Sequence, residues 1–243
     1  MKKIVIIGAT SAIAQAIARQ FAEEKNKLFL IGRSKTHLAM LAADYAIRSE
    51  NPCQFFVYDA FSNNQIEACL SEALGVLSTI DILVVAHGSL PNQRSCEIDL
   101  QKTLDEFQIN AMSYIGLLTV FADYFEKQKN GHIIVFSSVA GDRGRRSNYL
   151  YGAAKSAIST FTSGLRARLS FSNVHVMTVK PGFVDTPMTK EFKKSFLWAQ
   201  PNDVASCVIN AMKKKKSVLY VPWFWKYIML IIKWLPESLM KKL

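Results

Sequence analysis

Two residues four positions apart, Tyr151 and Lys155, could together transfer a proton. Residues at this spacing share one face of a helix, so the lysine ammonium is expected beside the tyrosine phenol. A free phenol has a pKa of ~10 and is a weak acid at neutral pH. A neighbouring ammonium favours the phenolate and lowers that pKa, which would suit the phenol to protonate an alkoxide.

Two further polar residues precede this pair in the chain, Ser138 and Asn110. Ser138 closes a strand-like run, and its hydroxyl could hold a carbonyl oxygen while hydride reaches the carbon. Asn110 falls inside a long helical pattern, where asparagine has an unfavourable propensity and a functional reason is expected. Each residue type is common by chance, but the four in this order predict a site that reduces a ketone.

Alternating strand-like and helical segments must position these four residues. Seven apolar runs such as IVIIG and DILVVA alternate with amphipathic stretches, the longest of which covers about 99–127. The runs are nearly continuous in isoleucine, valine, leucine and phenylalanine, as strands of a parallel sheet buried on both faces require. We predict an α/β fold, with a single doubly wound, Rossmann-type domain at 1–221 built on a seven-stranded parallel sheet.

The turn after the first strand predicts a phosphate site. It reads GATSAIA (8–14), a glycine turn that opens a helix, where backbone N–H groups and the helix dipole face a pyrophosphate. Only the first glycine of the usual pattern is present, and the methyl group of Ala12 could push the pyrophosphate outward. An ordinary strand-to-helix turn is the alternative.

The ends of the second and third strands predict which nucleotide is bound. An NAD-binding domain usually carries an acidic residue after the second strand, but this chain has Arg33 there. A guanidinium matches a 2′-phosphate, so we predict NADPH. Asp59 ends the third strand and could accept a hydrogen bond from the adenine amino group. The alternatives are a solvated Arg33 at a helix start and a turn cap at Asp59.

The chain resembles the classical short-chain dehydrogenase/reductases over residues 1 to about 220. The motifs that carry the resemblance are GATSAIA, Asp59, AHG (86–88), Asn110, FSSVAG (136–141), YGAAK (151–155) and KPGFVDT (180–186). The resemblance implies a catalytic tetrad of Asn110, Ser138, Tyr151 and Lys155, in which the lysine also holds the nicotinamide ribose and the asparagine holds a water in a proton relay. It implies cofactor contacts from Gly8, Thr10, Ser11, Ala12, Ile13, Arg33, Asp59, Ala86, Gly88, Tyr151, Lys155, Pro181, Gly182, Val184 and Thr186. The chain departs from the family pattern at Ala12, at Ala14 and at AHG, where the family has Asn-Ala-Gly.

Three arginines, at positions 143, 145 and 146, lie in the loop between Ser138 and Tyr151. Because tetrad residues flank the loop, its arginines are expected near the substrate, and phosphate suits their geometry best. We predict that Arg145 and Arg146 bind a substrate phosphate; a solvated or subunit-contact loop is the alternative. With the C-terminal segment, this loop resembles decaprenylphosphoryl-2-keto-pentose reductases, a subgroup whose substrate is a polyprenyl-phosphate sugar.

Residues 222–243 form a basic, aromatic tail, which we predict to be an amphipathic helix. The longest uncharged stretch within WFWKYIMLIIKWL (223–235) runs only from 227 to 232, whereas a spanning helix needs about 20 apolar residues. Its aromatic residues and lysines suit a helix that lies in the interface of an anionic membrane. Packing on the core or on another subunit is the alternative.

Composition limits the class of protein. Half of the 243 residues are hydrophobic, and the formal net charge is +11 without a nucleic-acid-reading motif. The four cysteines lack metal-type spacing and are predicted to be reduced thiols of a cytoplasmic protein. No two histidines are four residues apart, so no metal site is predicted. The first apolar run stops at Gly8, too early for a signal peptide.

Three functions remain compatible with the sequence. The first is NADPH-dependent reduction of the keto group of a lipid-linked, phosphate-bearing sugar, by a homo-oligomer bound peripherally to the inner face of the membrane. The second is reduction of a fatty-acyl, sphingoid or other lipid ketone, which explains the tail but not the arginines. The third is a catalytically idle nucleotide-binding scaffold, which the altered glycine turn favours and the intact tetrad opposes.

Overall fold

Seven parallel strands form one sheet in the computed structural model, which describes residues 1–241. The strands are β1 (Lys3–Ile7), β2 (Lys27–Gly32), β3 (Gln54–Val57), β4 (Ile82–Val85), β5 (Gly131–Phe136), β6 (Val174–Pro181) and β7 (Val218–Val221). Their spatial order is β3-β2-β1-β4-β5-β6-β7, so the chain winds outward from β1 in one direction and from β4 in the other. The prediction of a doubly wound, seven-stranded parallel sheet is confirmed.

Helices cover both faces of the sheet. They are α1 (Ala12–Glu23), α2 (Lys35–Ser49), α3 (Ile66–Leu77), α4 (Gln93–Glu97), α5 (Leu100–Phe107), α6 (Ser113–Gln128), α7 (Tyr149–Leu169), α8 (Pro201–Lys213), α9 (Trp225–Trp234) and α10 (Glu237–Met240). One buried cluster packs α1, α2 and α8 on one face, and a second packs α3, α6 and α7 on the other. Both faces of the sheet are therefore shielded from water, which explains why the strand sequences are continuous apolar runs.

The helix predicted over about 99–127 is interrupted in the structure. A π-helical turn, Gln108–Met112, separates α5 from α6, and Asn110 lies within it. The Asn110 side chain donates to the Glu106 carbonyl oxygen at 3.1 Å. The apolar periodicity continues through this region, so the extra residue of the turn left no trace in the sequence pattern. π-Turns of this kind occur frequently at functional sites.

The parallel register brings the carboxyl ends of the central strands together. Ile7 of β1 pairs with Val85 of β4, and Val85 pairs with Val135 of β5. The winding direction reverses between β1 and β4, and ligands of open α/β sheets bind outside the strand ends at such a point. The loops that carry the tetrad residues start from this edge.

The tail packs one of its faces on the domain. Trp225 and Met229 of α9 are buried in a small cluster with Val139, against partly buried Phe183, Leu197, Tyr220, Phe224, Ile228 and Ile232. A Cβ atom added to Gly182 would lie 1.9 Å from Trp225 Nε1, so only glycine permits this approach. Within the described residues, no helix is long and apolar enough to cross a membrane.

Candidate active site

A cavity of about 620 Å³ lies at the carboxyl edge of the sheet. The structure brings every sequence-predicted site residue to this cavity except Arg146. Its lining includes Gly8, Thr10, Ser11, Ala12, Ile13, Arg33, Asp59, Ala86, Gly88, Asn110, Ser138, Arg145, Tyr151, Lys155, Pro181, Gly182, Val184 and Thr186. One cavity therefore contains both the proposed nucleotide site and the proposed proton donor.

Helix α7 places Tyr151 and Lys155 on its cavity-facing side. Lys155 is only 3 % exposed, and its Nζ lies 5.7 Å from the centroid of the Tyr151 ring. The same Nζ donates to the Phe136 carbonyl oxygen at 3.4 Å and lies 4.4 Å over the Tyr114 ring. Ser138 follows β5 on the opposite wall, where its Oγ accepts a hydrogen bond from the Ala140 N–H at 3.1 Å.

Burial controls the protonation of both groups. It lowers the pKa of Lys155 to about 7. It raises the pKa of Tyr151 to about 12, an effect that the Ser138 hydroxyl partly offsets. The expected lowering of the Tyr151 pKa by the lysine is therefore not found, because desolvation dominates and only the Ser138 hydrogen bond opposes it. At neutral pH the phenol holds its proton, and the lysine is close to its own midpoint.

The Asn110 amide is held on all sides by its own neighbours. Its Oδ1 accepts from the Ser89 N–H at 3.1 Å, and its Nδ2 donates to Ser89 Oγ at 3.0 Å. The carboxylate of Glu106 accepts from the same amide at 3.3 Å and from the Ser89 hydroxyl. The side chain is therefore fixed, and the surrounding π-turn positions its backbone beside the cavity.

His87 and Tyr114 complete the floor of the cavity beneath Lys155. The two rings stack at a centroid distance of 4.1 Å, and the Tyr114 hydroxyl donates to the His87 carbonyl oxygen. His87 Nε2 lies 2.8 Å from Ser113 Oγ. Burial, and secondarily the Lys155 charge, lowers the pKa of His87 to about 3, so its ring is neutral. Sequence reasoning recorded His87 only as a departure from the family pattern and missed Tyr114, whose role no local pattern indicates.

The glycine turn has the shape that a phosphate site requires. Gly8 has a φ of +80°, and a Cβ there would lie 2.4 Å from the His87 backbone nitrogen. Ser11 caps α1, with its side chain accepting from the Ala14 N–H at 3.3 Å. The Ala12 side chain is half-buried and faces the cavity. The helix N-terminus is thus well formed despite the missing glycines.

The two residues predicted to select the nucleotide lie at the other end of the cavity. Arg33 is exposed, and it makes no ion pair with any residue in the range 1–241. Asp59 caps its own turn, since its Oδ1 accepts from the Phe61 N–H at 3.0 Å. Its carboxylate still lines the cavity. The arginine is therefore available to an anion. The aspartate caps its turn, and its contact with the adenine amino group stays a prediction.

The structure separates the three arginines of the loop. Arg143 forms an ion pair with Glu237 of α10. Arg145 is half-buried and lines the cavity, with Nη2 3.4 Å from Met229 Sδ of α9. Arg146 is exposed and outside the cavity lining. Spacing in the sequence could not show which of the three arginines would reach the cavity.

Comparisons with known proteins agree with this arrangement. The family model described as short chain dehydrogenase matches residues 2–196. An uncharacterized oxidoreductase of Mycobacterium tuberculosis is 30% identical over 245 residues, covering 99% of this chain and 96% of the relative. The chain belongs to the short-chain dehydrogenase family. As a short-chain dehydrogenase it is an oxidoreductase.

Other relatives support the same placement. An uncharacterized oxidoreductase of Staphylococcus epidermidis is 28% identical over 222 residues, with 89% of this short-chain dehydrogenase and 93% of the relative covered. The crystal structure of a single-residue variant of actinorhodin polyketide ketoreductase with NADPH matches with a TM-score of 0.80 at 21% identity. That match covers 90% of this chain and 95% of the ketoreductase, and it shows that the two share a fold.

Proposed function

We propose that this oxidoreductase reduces a ketone to a secondary alcohol with NADPH. The observation that carries the proposal is the convergence of Ser138, Tyr151 and Lys155 on one cavity that extends to the Gly8 turn and Arg33. NADPH would supply the hydride. The related ketoreductase was crystallised with the same cofactor, which supports this choice.

The residues of the chain perform the remaining steps. The Ser138 hydroxyl donates to the carbonyl oxygen and orients the ketone. Tyr151 donates its proton to the same oxygen as negative charge develops there, and a pKa of about 12 keeps the phenol protonated until that moment. The ammonium form of Lys155 stabilises the phenolate that results. The backbone of Asn110, which the π-turn places beside the cavity, would hold the water that returns a proton to Tyr151.

The fit of the cofactor follows from the same lining. The N-terminus of α1, capped by Ser11, would take the pyrophosphate. Arg33 would pair with the 2′-phosphate, and Asp59 would accept from the adenine amino group. The remaining contacts implied by the family would come from residues that also line the cavity: Ala86, Gly88, Pro181, Gly182, Val184 and Thr186.

For the substrate we favour a lipid-linked sugar that carries a phosphate. The support is Arg145, a half-buried guanidinium that faces the cavity and makes no ion pair within residues 1–241. Since Arg146 does not reach the cavity, only Arg145 is retained for phosphate binding. The second candidate, a lipid ketone without phosphate, is favoured by the apolar lining from Phe183, Met188, Phe192 and Trp225.

We also propose where the enzyme acts. The outward side of α9 exposes aromatic and aliphatic side chains, which supports peripheral attachment to the inner face of the membrane. Four apolar side chains are exposed along the segment that runs from the end of α4 through α5 to the π-turn, and they support a homo-oligomer: Ile98, Leu100, Leu104 and Met112.

Tyr151→Phe tests the chemistry. It removes the acidic proton and leaves the ring in place, so we expect turnover to fall about 10²–10⁴-fold. Binding of NADPH, measured by the change in its fluorescence, should stay within a few-fold of the wild type. Turnover at the wild-type rate would show that another group donates the proton.

A matched pair of arginine variants tests the substrate class. Arg145→Ala should raise KM for a phosphorylated keto-sugar lipid about tenfold or more, because it removes a charge-assisted hydrogen bond. Arg146→Ala, at the neighbouring exposed position, should change KM little. A small neutral ketone should be reduced equally well by both variants. Equal losses on both substrates would assign Arg145 a structural role.

A further inference from the structure

Helix α9 has apolar side chains on two opposite faces. The inner face, with Trp225 and Met229, is buried against the domain. The outer face is exposed and consists of residues spaced as one side of a helix requires: Trp223, Tyr227, Leu230, Ile231 and Trp234. Trp234, at its end, is 82 % exposed. Burial against the domain therefore leaves part of the apolar surface of this helix exposed.

The loop at 188–197 also has both partly buried and exposed apolar side chains. Met188 and Phe192 line the cavity, and Leu197 packs into the cluster beneath α9. Between them Phe196 is 91 % exposed. Because Leu197 packs against the buried side of the tail, the loop and α9 adjoin, and the exposed phenylalanine is the residue that precedes this contact.

Both segments are basic. Together, residues 188–197 and 223–241 contain six lysines and two glutamates. One of the glutamates, Glu237, is already bound by Arg143, and one of the lysines, Lys194, pairs with Asp185. The exposed apolar side chains are thus surrounded by uncompensated positive charge.

We propose that the outer face of α9 and the 188–197 loop form one surface that docks on an anionic lipid bilayer. The ten residues of α9 span about 15 Å, so the helix lies in the interface and does not cross the bilayer. The same loop lines the cavity, and docking places the cavity mouth at the lipid surface. This deepens the proposed function, because it supplies a route for a lipid-linked ketone.

The composition of the surface favours lipid over protein as the partner. Protein interfaces are depleted in lysine, whereas tryptophan, tyrosine and lysine together are typical of membrane interfaces. Anionic headgroups would attract the lysines, and the acyl boundary would accept Phe196 and Trp234.

Vesicle sedimentation of the full chain tests the surface. The probes are vesicles of phosphatidylcholine alone and vesicles in which one third is phosphatidylglycerol. We expect the wild type to bind the anionic vesicles preferentially. Phe196→Ser and Trp234→Ser should each weaken that binding about tenfold, since each removes one inserted aromatic side chain.

Phe171→Ser is the matched control, because Phe171 is 95 % exposed and lies in a turn outside both segments. Its binding should equal that of the wild type. Absence of wild-type binding, or full binding by Phe196→Ser, would overturn the proposal. A change of oligomeric state in Phe196→Ser, seen by analytical ultracentrifugation, would instead assign the surface to a second copy. Binding requires no hydride transfer, so a protein that docks but reduces no ketone would contradict only the proposed function.

Discussion

The two edges of the sheet both carry titratable groups with shifted pKa values, but they differ in what surrounds them. At the carboxyl edge, burial shifts the pKa values of Tyr151 and Lys155 beside a cavity. At the amino edge, His132 of β5 and His175 of β6 approach with their Nδ1 atoms 3.2 Å apart. Burial, and secondarily His175, lowers the pKa of His132 to about 4.

The comparison shows that a shifted pKa alone does not mark an active site. The two histidines partner each other, and His175 Nε2 lies 2.9 Å from the Lys216 carbonyl oxygen. Neither histidine lines the cavity. Among the described residues, Lys155 Nζ has one long hydrogen bond, to a carbonyl oxygen, and lies over the rings of Tyr114 and Tyr151. The carboxyl edge differs because its charged group, Lys155, is incompletely paired by the protein and lines a cavity that a ligand can enter.

Lys155→Met should give the largest effect and sharpen this contrast. Turnover should fall about 10²–10⁴-fold, as for other acid–base groups. The melting temperature should rise, because the ordinary pKa of 10.5 falls to about 7 on folding. Folding therefore disfavours the ammonium, and methionine removes that cost. Exposed Lys127→Met is the control for both measurements. A lower melting temperature for Lys155→Met would mean that the lysine stabilises the fold.

The pH dependence of the wild type should show an intermediate effect. The ammonium of Lys155 is lost as pH rises through about 7, while Tyr151 stays protonated to about 12. We therefore expect kcat/KM for ketone reduction to fall up to about tenfold per pH unit above that point, since it reports ionisations of the free enzyme. A profile that is flat from pH 6 to 9 would contradict this assignment.

His132→Gln should give the smallest effect, and on stability alone. The folded pKa of His132 lies below its ordinary value of 6.5, so the unfolded chain takes up the proton first. The free energy of unfolding therefore has its full value with respect to this histidine above about pH 6.5, and it decreases as the pH falls towards 4. Between pH 7.5 and 5, the melting temperature of the variant should fall roughly 2–4 °C less than that of the wild type.

Two measurements complete this comparison of the edges. His37→Gln, at an exposed position on α2, should behave as the wild type in the melting experiment. Activity at pH 7.5 should be unchanged by His132→Gln, and a loss there would place the amino edge in the mechanism.

The sequence predicted the sheet and most elements of the site because their causes are local. Apolar runs marked every strand to within one or two residues, and the spacing of Tyr151 and Lys155 placed both on one helix face. The glycine turn required a positive φ, which Gly8 has. These features depend on neighbours in the chain, so periodicity and residue type were sufficient.

What the sequence missed depends on contacts between distant segments. The π-turn at Asn110, the support of Lys155 by Tyr114, and the separation of Arg143, Arg145 and Arg146 follow from tertiary packing. The protonation of Lys155 also depends on how completely the fold surrounds it. The tail was read correctly as helical, but its composition could not show which face would be buried.

The close fit of Trp225 on Gly182 makes the packing of the tail depend on a distant position of the chain. Any side chain at position 182 would displace the indole, and loss of the indole would leave a void beneath the wall that should meet the nicotinamide. A shortened or replaced tail would therefore change the packing of the Pro181–Gly182 segment. A C-terminal truncation is therefore expected to change the active site as well as the surface of the protein.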